Sequence, residues 1–243
     1  MSNFSVSKLA KTTGQIICQD IGLVGSGFFV SSQGLIITNN HVVSRISIDS
    51  TGVIRVDYSE KIYFKIGDKV YATSLVIDKD SDRPVVYDYA ILKKTDASSV
   101  DYLDVSDVSD ISQGQNVIAA GYPLDFNELI VSSGVISAII SRPSHRNALI
   151  KMRTFLMDTF ITYGNSGGPL LRPSDGKVIG INTMPHTIRD ELRLRLLEYS
   201  RRPEIVAMPV INDLIGFVLK YINIGFNYAV SIEYAMRDPV LEL

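Results

Sequence analysis

The sequence predicts an all-β fold, and three observations carry that expectation. Short apolar runs with β-branched content recur from the N-terminus to about residue 183, Gly, Asp, Asn and Ser punctuate them, and no long helical period separates them. Such runs fall at 15–18, 27–30, 35–38, 53–56, 70–77, 89–93, 116–121, 131–140, 153–158 and 178–182. About a dozen strands without intervening helices imply barrels or sandwiches.

Taken in order, the runs form two sets. A polar, acidic stretch at 96–113 separates them and reads as a linker between halves. Two segments break the β pattern. Residues 189–199 carry Ile188, Leu192, Leu196 and Tyr199 at a helical spacing, although Leu192-Arg193-Leu194-Arg195-Leu196 also alternates as a strand would. Residues 211–221 place Ile211, Leu214, Ile215, Val218 and Leu219 on one face after Pro209, which predicts a packed amphipathic helix.

The 243 residues suffice for one large β domain or two small ones, and 46% hydrophobic with 21% charged residues is an ordinary globular balance. A net charge of −2 gives no reason to expect a nucleic acid or an anionic membrane as partner. Cys18 is the single cysteine, which excludes an internal disulfide and favours a reducing compartment; its simplest role is a small buried apolar side chain. The first residues lack the apolar core of a secretion signal, and no uncharged run reaches the length of a membrane span. These features together predict a cytoplasmic protein.

Three fragments carry chemistry: Thr38-Asn39-Asn40-His41-Val42-Val43, Asp88-Tyr89-Ala90-Ile91-Leu92 and Gly164-Asn165-Ser166-Gly167-Gly168-Pro169. A serine hydroxyl is a weak nucleophile, so an imidazole must take its proton and a carboxylate must orient that imidazole. His41, Asp88 and Ser166 supply base, acid and nucleophile. Asp78, Asp80 and Asp82 compete for the acid role but lie in a turn-like stretch, whereas Asp88 opens an apolar strand where its carboxylate can be buried against His41. His145 and His186 sit in loop contexts and read as non-catalytic. The glycines around Ser166 permit a tight turn whose N–H groups converge on an oxyanion, with Gly164 and Ser166 as donors and Asn165 holding the loop between them. Gly164 to Gly168 also fits the Gly-x-Ser-x-Gly pattern of esterases, but Gly167-Gly168-Pro169 cannot start the helix which that fold requires after its serine.

With Gly25-Ser26-Gly27-Phe28-Phe29-Val30, Gly121-Tyr122-Pro123, Ser133-Gly134-Val135-Ile136-Ser137, Gly176-Lys177-Val178-Ile179-Gly180-Ile181-Asn182-Thr183 and Ala207-Met208-Pro209, these fragments resemble an HtrA-type serine protease of the chymotrypsin fold. The resemblance implies two six-stranded antiparallel β-barrels within a protease domain over 1–220. Their spans would be about 10–97 and 112–210, with a closing helix at 211–221 and an inserted helix near the specificity pocket. A short extension over 222–243 would take the place of the family's PDZ domain. It further implies endopeptidase action on unfolded or misfolded polypeptides in protein quality control, no metal or other cofactor, and a homo-oligomer, usually a trimer. The alternative is a catalytically silent or self-gated scaffold or chaperone, activated by oligomerisation or a partner, with 189–202 as lid or contact. Phe160 would face the floor of the primary specificity pocket, with Ile181, Asn182 and Thr183 along its wall. With no acidic residue at that floor, small or medium aliphatic side chains are expected there. Thr162-Tyr163 replaces the family's usual Asn-Pro before the nucleophile turn.

Overall fold

A computed structural model of the chain describes residues 5–48, 54–76, 81–123, 126–144, 149–183, 199, 210–211, 213–214 and 227–241. The N-terminal helix α1 (Val6–Thr12) is capped at Ser5, whose side chain accepts from Lys8 N, and buries Leu9. Next come β1 (Thr13–Cys18), β2 (Leu23–Phe29), β3 (Leu35–Thr38) and a single turn α2 (Asn40–Val43). A two-stranded ribbon, β4 (Ser44–Ile48) with β5 (Ile54–Tyr58), stands apart from both barrels. β6 (Ile62–Ile66), β7 (Lys69–Leu75), a second short turn α3 (Arg83–Val86) and β8 (Ala90–Lys94) complete the first half. Its strands close as a barrel in the order β1-β2-β3-β8-β7-β6.

The second half contains β9 (Asn116–Gly121), β10 (Ile130–Pro143), β11 (Lys151–Met157), β12 (Pro169–Arg172), β13 (Lys177–Thr183) and β14 (Asn227–Ser231). They close as β10-β11-β14-β13-β12-β9, and the ladders of both barrels are antiparallel. The fourteen-residue β10 serves two neighbours. Its first part pairs with β9 and its second with β11, with a register shift between Ile136 and Ala138. Such a shift bends a strand and lets one run of chain turn the barrel corner.

Several expectations change here. The second barrel does not end near residue 210: its sixth strand is β14, within the span expected to be a mere extension. Without it β11 and β13 would present unpaired edges, and Asn227–Ser231 pairs four residues with each. After β14 a short helix, α4 (Glu233–Met236), and a 3-10 turn at Pro239–Leu241 follow. Of the helix expected at 211–221, only Ile211, Asp213 and Leu214 are described; they are helical with exposed side chains. Most of 189–202 also lies outside the described residues, as do His145 and His186. β12 escaped the sequence pattern because a proline directly after two glycines reads as a turn. Pro169 is tolerated as the first residue of its strand.

The stretch at 96–113 is no simple polar spacer. Lys94, almost fully buried, sends its ammonium to Asp96 O (2.7 Å), Asp96 Oδ1 (2.8 Å) and Ser98 Oγ (3.1 Å), which anchors the exit from β8. Leu103, Val108 and Ile111 are buried, and Leu103 N donates to Phe29 O at 2.9 Å. Arg172 grips the far end, donating to both carboxylate oxygens of Asp110 (2.8 Å each), to Asp175 Oδ2 (2.7 Å) and to Ser106 Oγ (2.6 Å). One apolar cluster fills the first barrel with Ile16, Phe29, Ile36, Ile62, Phe64 and Leu92. A larger one joins Phe28, Ile37, Tyr89 and Ile91 of the first barrel to Ile136, Phe155, Leu170 and Ile181 of the second.

Candidate active site

Each residue of Thr-Asn-Asn-His has a local reason. Thr38, closing β3, donates its hydroxyl to Ser26 O at 2.6 Å. Asn39 donates its amide to Asp88 O at 2.8 Å. Asn40 donates to Tyr58 Oη at 2.9 Å, and Ser44 Oγ donates back to Asn40 O (2.9 Å) and Oδ1 (2.8 Å). These bonds fix the α2 turn from both ends and set the direction of His41.

Asp88 enters from the other side of the first barrel, between α3 and β8. Its φ of +52° makes it the only non-glycine residue in the left-handed region among the described residues. That conformation costs about 1–3 kcal/mol and persists only where the surroundings over-determine it. Here they do. The carboxylate accepts from His41 N (3.1 Å, Oδ1) and from Thr183 Oγ (3.2 Å, Oδ2), and it lies 3.0 and 2.9 Å from His41 Nδ1 through Oδ1 and Oδ2. Burial by itself would lower the His41 pKa, but the charge and hydrogen bond of Asp88 outweigh it, so the imidazolium is held above its ordinary range. The pair is half-sheltered, with 29% of the His41 side chain and 15% of that of Asp88 exposed.

Ser166 sits in a loop locked to the first barrel. Ser26 clamps it twice, its N–H donating to Ser166 O (2.8 Å) and its hydroxyl to Gly164 O (2.7 Å), while Tyr122 N donates to Ser26 Oγ (2.8 Å). A carbon placed on Gly25 would meet Val42 Cγ1 at 2.6 Å and Ser166 O at 3.0 Å, so that glycine is wedged between the histidine turn and the nucleophile loop. Gly167 has φ +88°, and a side chain there would lie 2.1 Å from Ser26 O. The loop therefore needs glycine for conformation and for space.

Within the loop, Asn165 N donates to Thr162 O (3.1 Å), Gly167 N to Asn182 O (2.9 Å) and Gly168 N to Asn165 O (3.0 Å). Among the described residues, the N–H groups of Gly164 and Ser166 make no backbone hydrogen bond. The Asn165 side chain is buried against Gly121. His41 and Asp88 thus touch directly. Ser166 is held by its backbone carbonyl to Ser26 of the same barrel.

The four residues expected around the specificity pocket are placed differently from one another. Phe160 is 55% exposed. Ile181 is fully buried in the core. Asn182, also buried, has its amide engaged by Ala120 O and Pro169 O at 3.1 Å each. Thr183 turns its hydroxyl to Asp88. Sequence reasoning did not single out Thr183 as a support for the acid, or Ser26 as the clamp on the nucleophile loop. A small hydroxyl residue between two glycines in β2 was the only available signal for Ser26.

Comparison with known proteins follows the same lines. Residues 25–181 match the trypsin-like peptidase domain. The human serine protease HTRA3 is 35% identical over 168 residues, covering 67% of this chain and 33% of that protein. A Hahella chejuensis protein named as a periplasmic DegP-like serine endoprotease is 32% identical over 70% of this chain and 31% of its own length. Bovine HTRA2, named as mitochondrial, is 33% identical over 74% of this chain and 36% of its own. The chain spans about a third of the length of these relatives. Among solved structures, the HtrA-type protease AlgW with tripeptide superposes with a TM-score of 0.64 at 22% identity, over 95% of this chain and 60% of that one. The active form of the Rv3671c protease from M. tuberculosis gives 0.62 at 18% identity, over 97% and 82%. These likenesses support the fold.

The relatives also correct the cytoplasmic expectation, since those named by compartment are periplasmic or mitochondrial. A single cysteine does not discriminate here, because two closed barrels of this size bury enough apolar surface to stand without a bridge. No helix among the described residues is long and apolar enough to cross a membrane. By its matched domain the chain belongs to the trypsin-like peptidase family, and its sequence is similar to serine proteases of the HtrA type.

Proposed function

We propose that this chain hydrolyses peptide bonds of unfolded or misfolded polypeptides with His41 as base, Asp88 as orienting acid and Ser166 as nucleophile. The observation that carries the reading is the His41–Asp88 pair set beside a glycine-rich serine loop clamped to the same barrel. In the first step His41 Nε2 takes the Ser166 proton as Oγ attacks the scissile carbonyl, giving a tetrahedral oxyanion. The N–H groups of Gly164 and Ser166, free of backbone partners among the described residues, are suited to receive that charge. His41 then protonates the leaving amine, which departs and leaves an acyl-enzyme. A water molecule activated by the same imidazole releases the second product and restores Ser166. Throughout, Asp88 holds Nδ1 protonated and stabilises the transient imidazolium.

Casein turnover by the native chain and by Ser166→Ala tests this directly. Loss of the nucleophile from a working triad removes on the order of 10⁶ in turnover. Equal turnover by both proteins would instead favour the silent scaffold. Phe160, exposed and six residues before Ser166, is proposed as the apolar surface receiving the side chain before the cut. The digest should then show cleavage after small or medium aliphatic residues, and predominant cutting after Arg or Lys would refute that assignment. The homotrimer implied by family resemblance is carried forward as a proposal that sedimentation velocity can decide; a monomer at assay concentration would dismiss it.

A further inference from the structure

Beyond β14 the chain passes through α4 and the 3-10 turn and lies against the short segment that carries Asp88. Three contacts hold that segment from outside its own barrel. Tyr234 stacks on Tyr87 with ring centroids 4.2 Å apart and planes 7° from parallel. Tyr89 Oη donates to Asp238 Oδ2 at 2.8 Å. Ser144 Oγ, just past β10, donates to Val86 O at 2.7 Å. Asp88 is therefore flanked on both sides by tyrosines tied to the C-terminal segment.

The Tyr89–Asp238 contact is the most informative of the three. Tyr89 is fully buried and Asp238 is 2% exposed. A carboxylate buried at this depth is costly unless hydrogen-bonded. Asp238 accepts from Tyr89 through one oxygen and from Val240 N (3.1 Å) through the other. Burial, followed by the bond and the charge of Asp238, holds the phenol far above its ordinary pKa, so it stays a donor at any working pH; Arg83 is the nearby cation and opposes this weakly. Asp88 meanwhile holds a strained left-handed backbone between these two anchored rings. A strained residue relaxes unless it is fixed from more than one direction.

We propose that Tyr89 and Asp238 are positioning residues of the active site, and that the C-terminal segment is a strut holding Asp88 against His41. The proposal rests on the triad reading above. It makes the catalytic acid, which belongs to the first barrel, dependent on chain that leaves the second barrel 149 residues after Tyr89, at Asp238. A segment or partner that displaced this strut would loosen the acid without touching the nucleophile.

The test is the rate at which a fluorophosphonate probe labels Ser166 across pH, in the full chain and its variants. Tyr89→Phe keeps the ring and removes the hydroxyl, and Asp238→Ala removes the acceptor. Each should slow labelling about 10- to 100-fold, the range for a catalytic group misplaced by an ångström or less. Each should also move the acid limb of the profile to lower pH, because a displaced Asp88 raises the His41 pKa less. Asp238→Asn, which retains a hydrogen-bonding partner for the phenol, should recover most of the rate. In an Asp88→Asn background, Tyr89→Phe should add no further loss.

Slower labelling with an unmoved limb, or an undiminished loss in the Asp88→Asn background, would reduce the strut to ordinary structural support and overturn the proposal. So would unchanged labelling in Tyr89→Phe. If that variant fails to fold, Asp238→Ala against Asp238→Asn gives the same comparison. Failure of the underlying triad reading looks different: Ser166→Ala would then label as fast as the native chain.

Discussion

At the scale of single residues, the His41–Asp88 pair makes a claim about pH with a definite sign. Asp88 raises the His41 pKa, and a general base must be neutral, so hydrolysis should rise through a midpoint above the ordinary histidine value of about 6.5. In Asp88→Asn that midpoint should fall, while the maximal rate drops on the order of 10⁴, the scale seen when a triad loses its orienting carboxylate. Stability follows the same linkage. A pKa raised in the folded state contributes stability that is fully present below the unfolded value and is lost as pH rises through the folded one. The substitution should therefore lower the urea midpoint more at about pH 5.5 than at about pH 9. An equal loss at both would mean that the charge of Asp88 does not act on His41. The proposed triad residues stood out in the sequence because each stands in a motif whose other members have fixed jobs, such as Asn39 on the carbonyl of Asp88. Thr183 was not, since a hydroxyl at a strand end has many ordinary uses and only the fold carries it across to an acid 95 positions earlier.

At the scale of elements, the strands that could be read were short apolar runs bounded by polar or glycine residues, such as β3 and β9. Of those that could not be read, β6 had an alternating apolar pattern that was passed over, whereas three others lack an independent signal. β4 is a ribbon strand outside both barrels, and β12 begins with proline. β14 is five residues of mixed polarity whose identity as a strand comes from the edges of β11 and β13 on either side of it. That dependence runs both ways. Ending the chain at residue 226 should remove the shared neighbour, leave two unpaired edges and expose the surface covered by Ala229, Val230 and Ile232, all buried. The expected product has no cooperative thermal transition and aggregates on size-exclusion chromatography. A soluble monomer melting like the full chain would show that the second barrel closes without its last strand.

At the scale of the whole molecule, the first barrel has its own core, but the core of the second barrel runs on across the seam between them. Phe28, Ile37, Tyr89 and Ile91 of the first barrel share a cluster with Phe155, Leu170 and Ile181 of the second, and Leu103 and Val108 of the connecting stretch are buried in the same cluster. The loop of the proposed nucleophile is held from the opposite barrel by Ser26, and Tyr89, next to the proposed acid, by Asp238. Neither half could then lose its packing without taking part of the active site with it. Leu103 probes this coupling best: it is 2% exposed, its N–H is bonded to Phe29 O, and it belongs to the connecting stretch rather than to any proposed catalytic motif. Leu103→Ala should cost about 2–5 kcal/mol, the range for a buried leucine whose site cannot collapse. Tyrosine fluorescence, far-ultraviolet circular dichroism and loss of fluorophosphonate labelling should all report one transition, shifted by the same amount. If the barrels were independent, the probes would separate into two transitions and labelling would follow only one of them. Coincidence of the three would mean that catalytic competence and global folding are one equilibrium in this chain, because its active site is assembled across the seam that its shared core maintains.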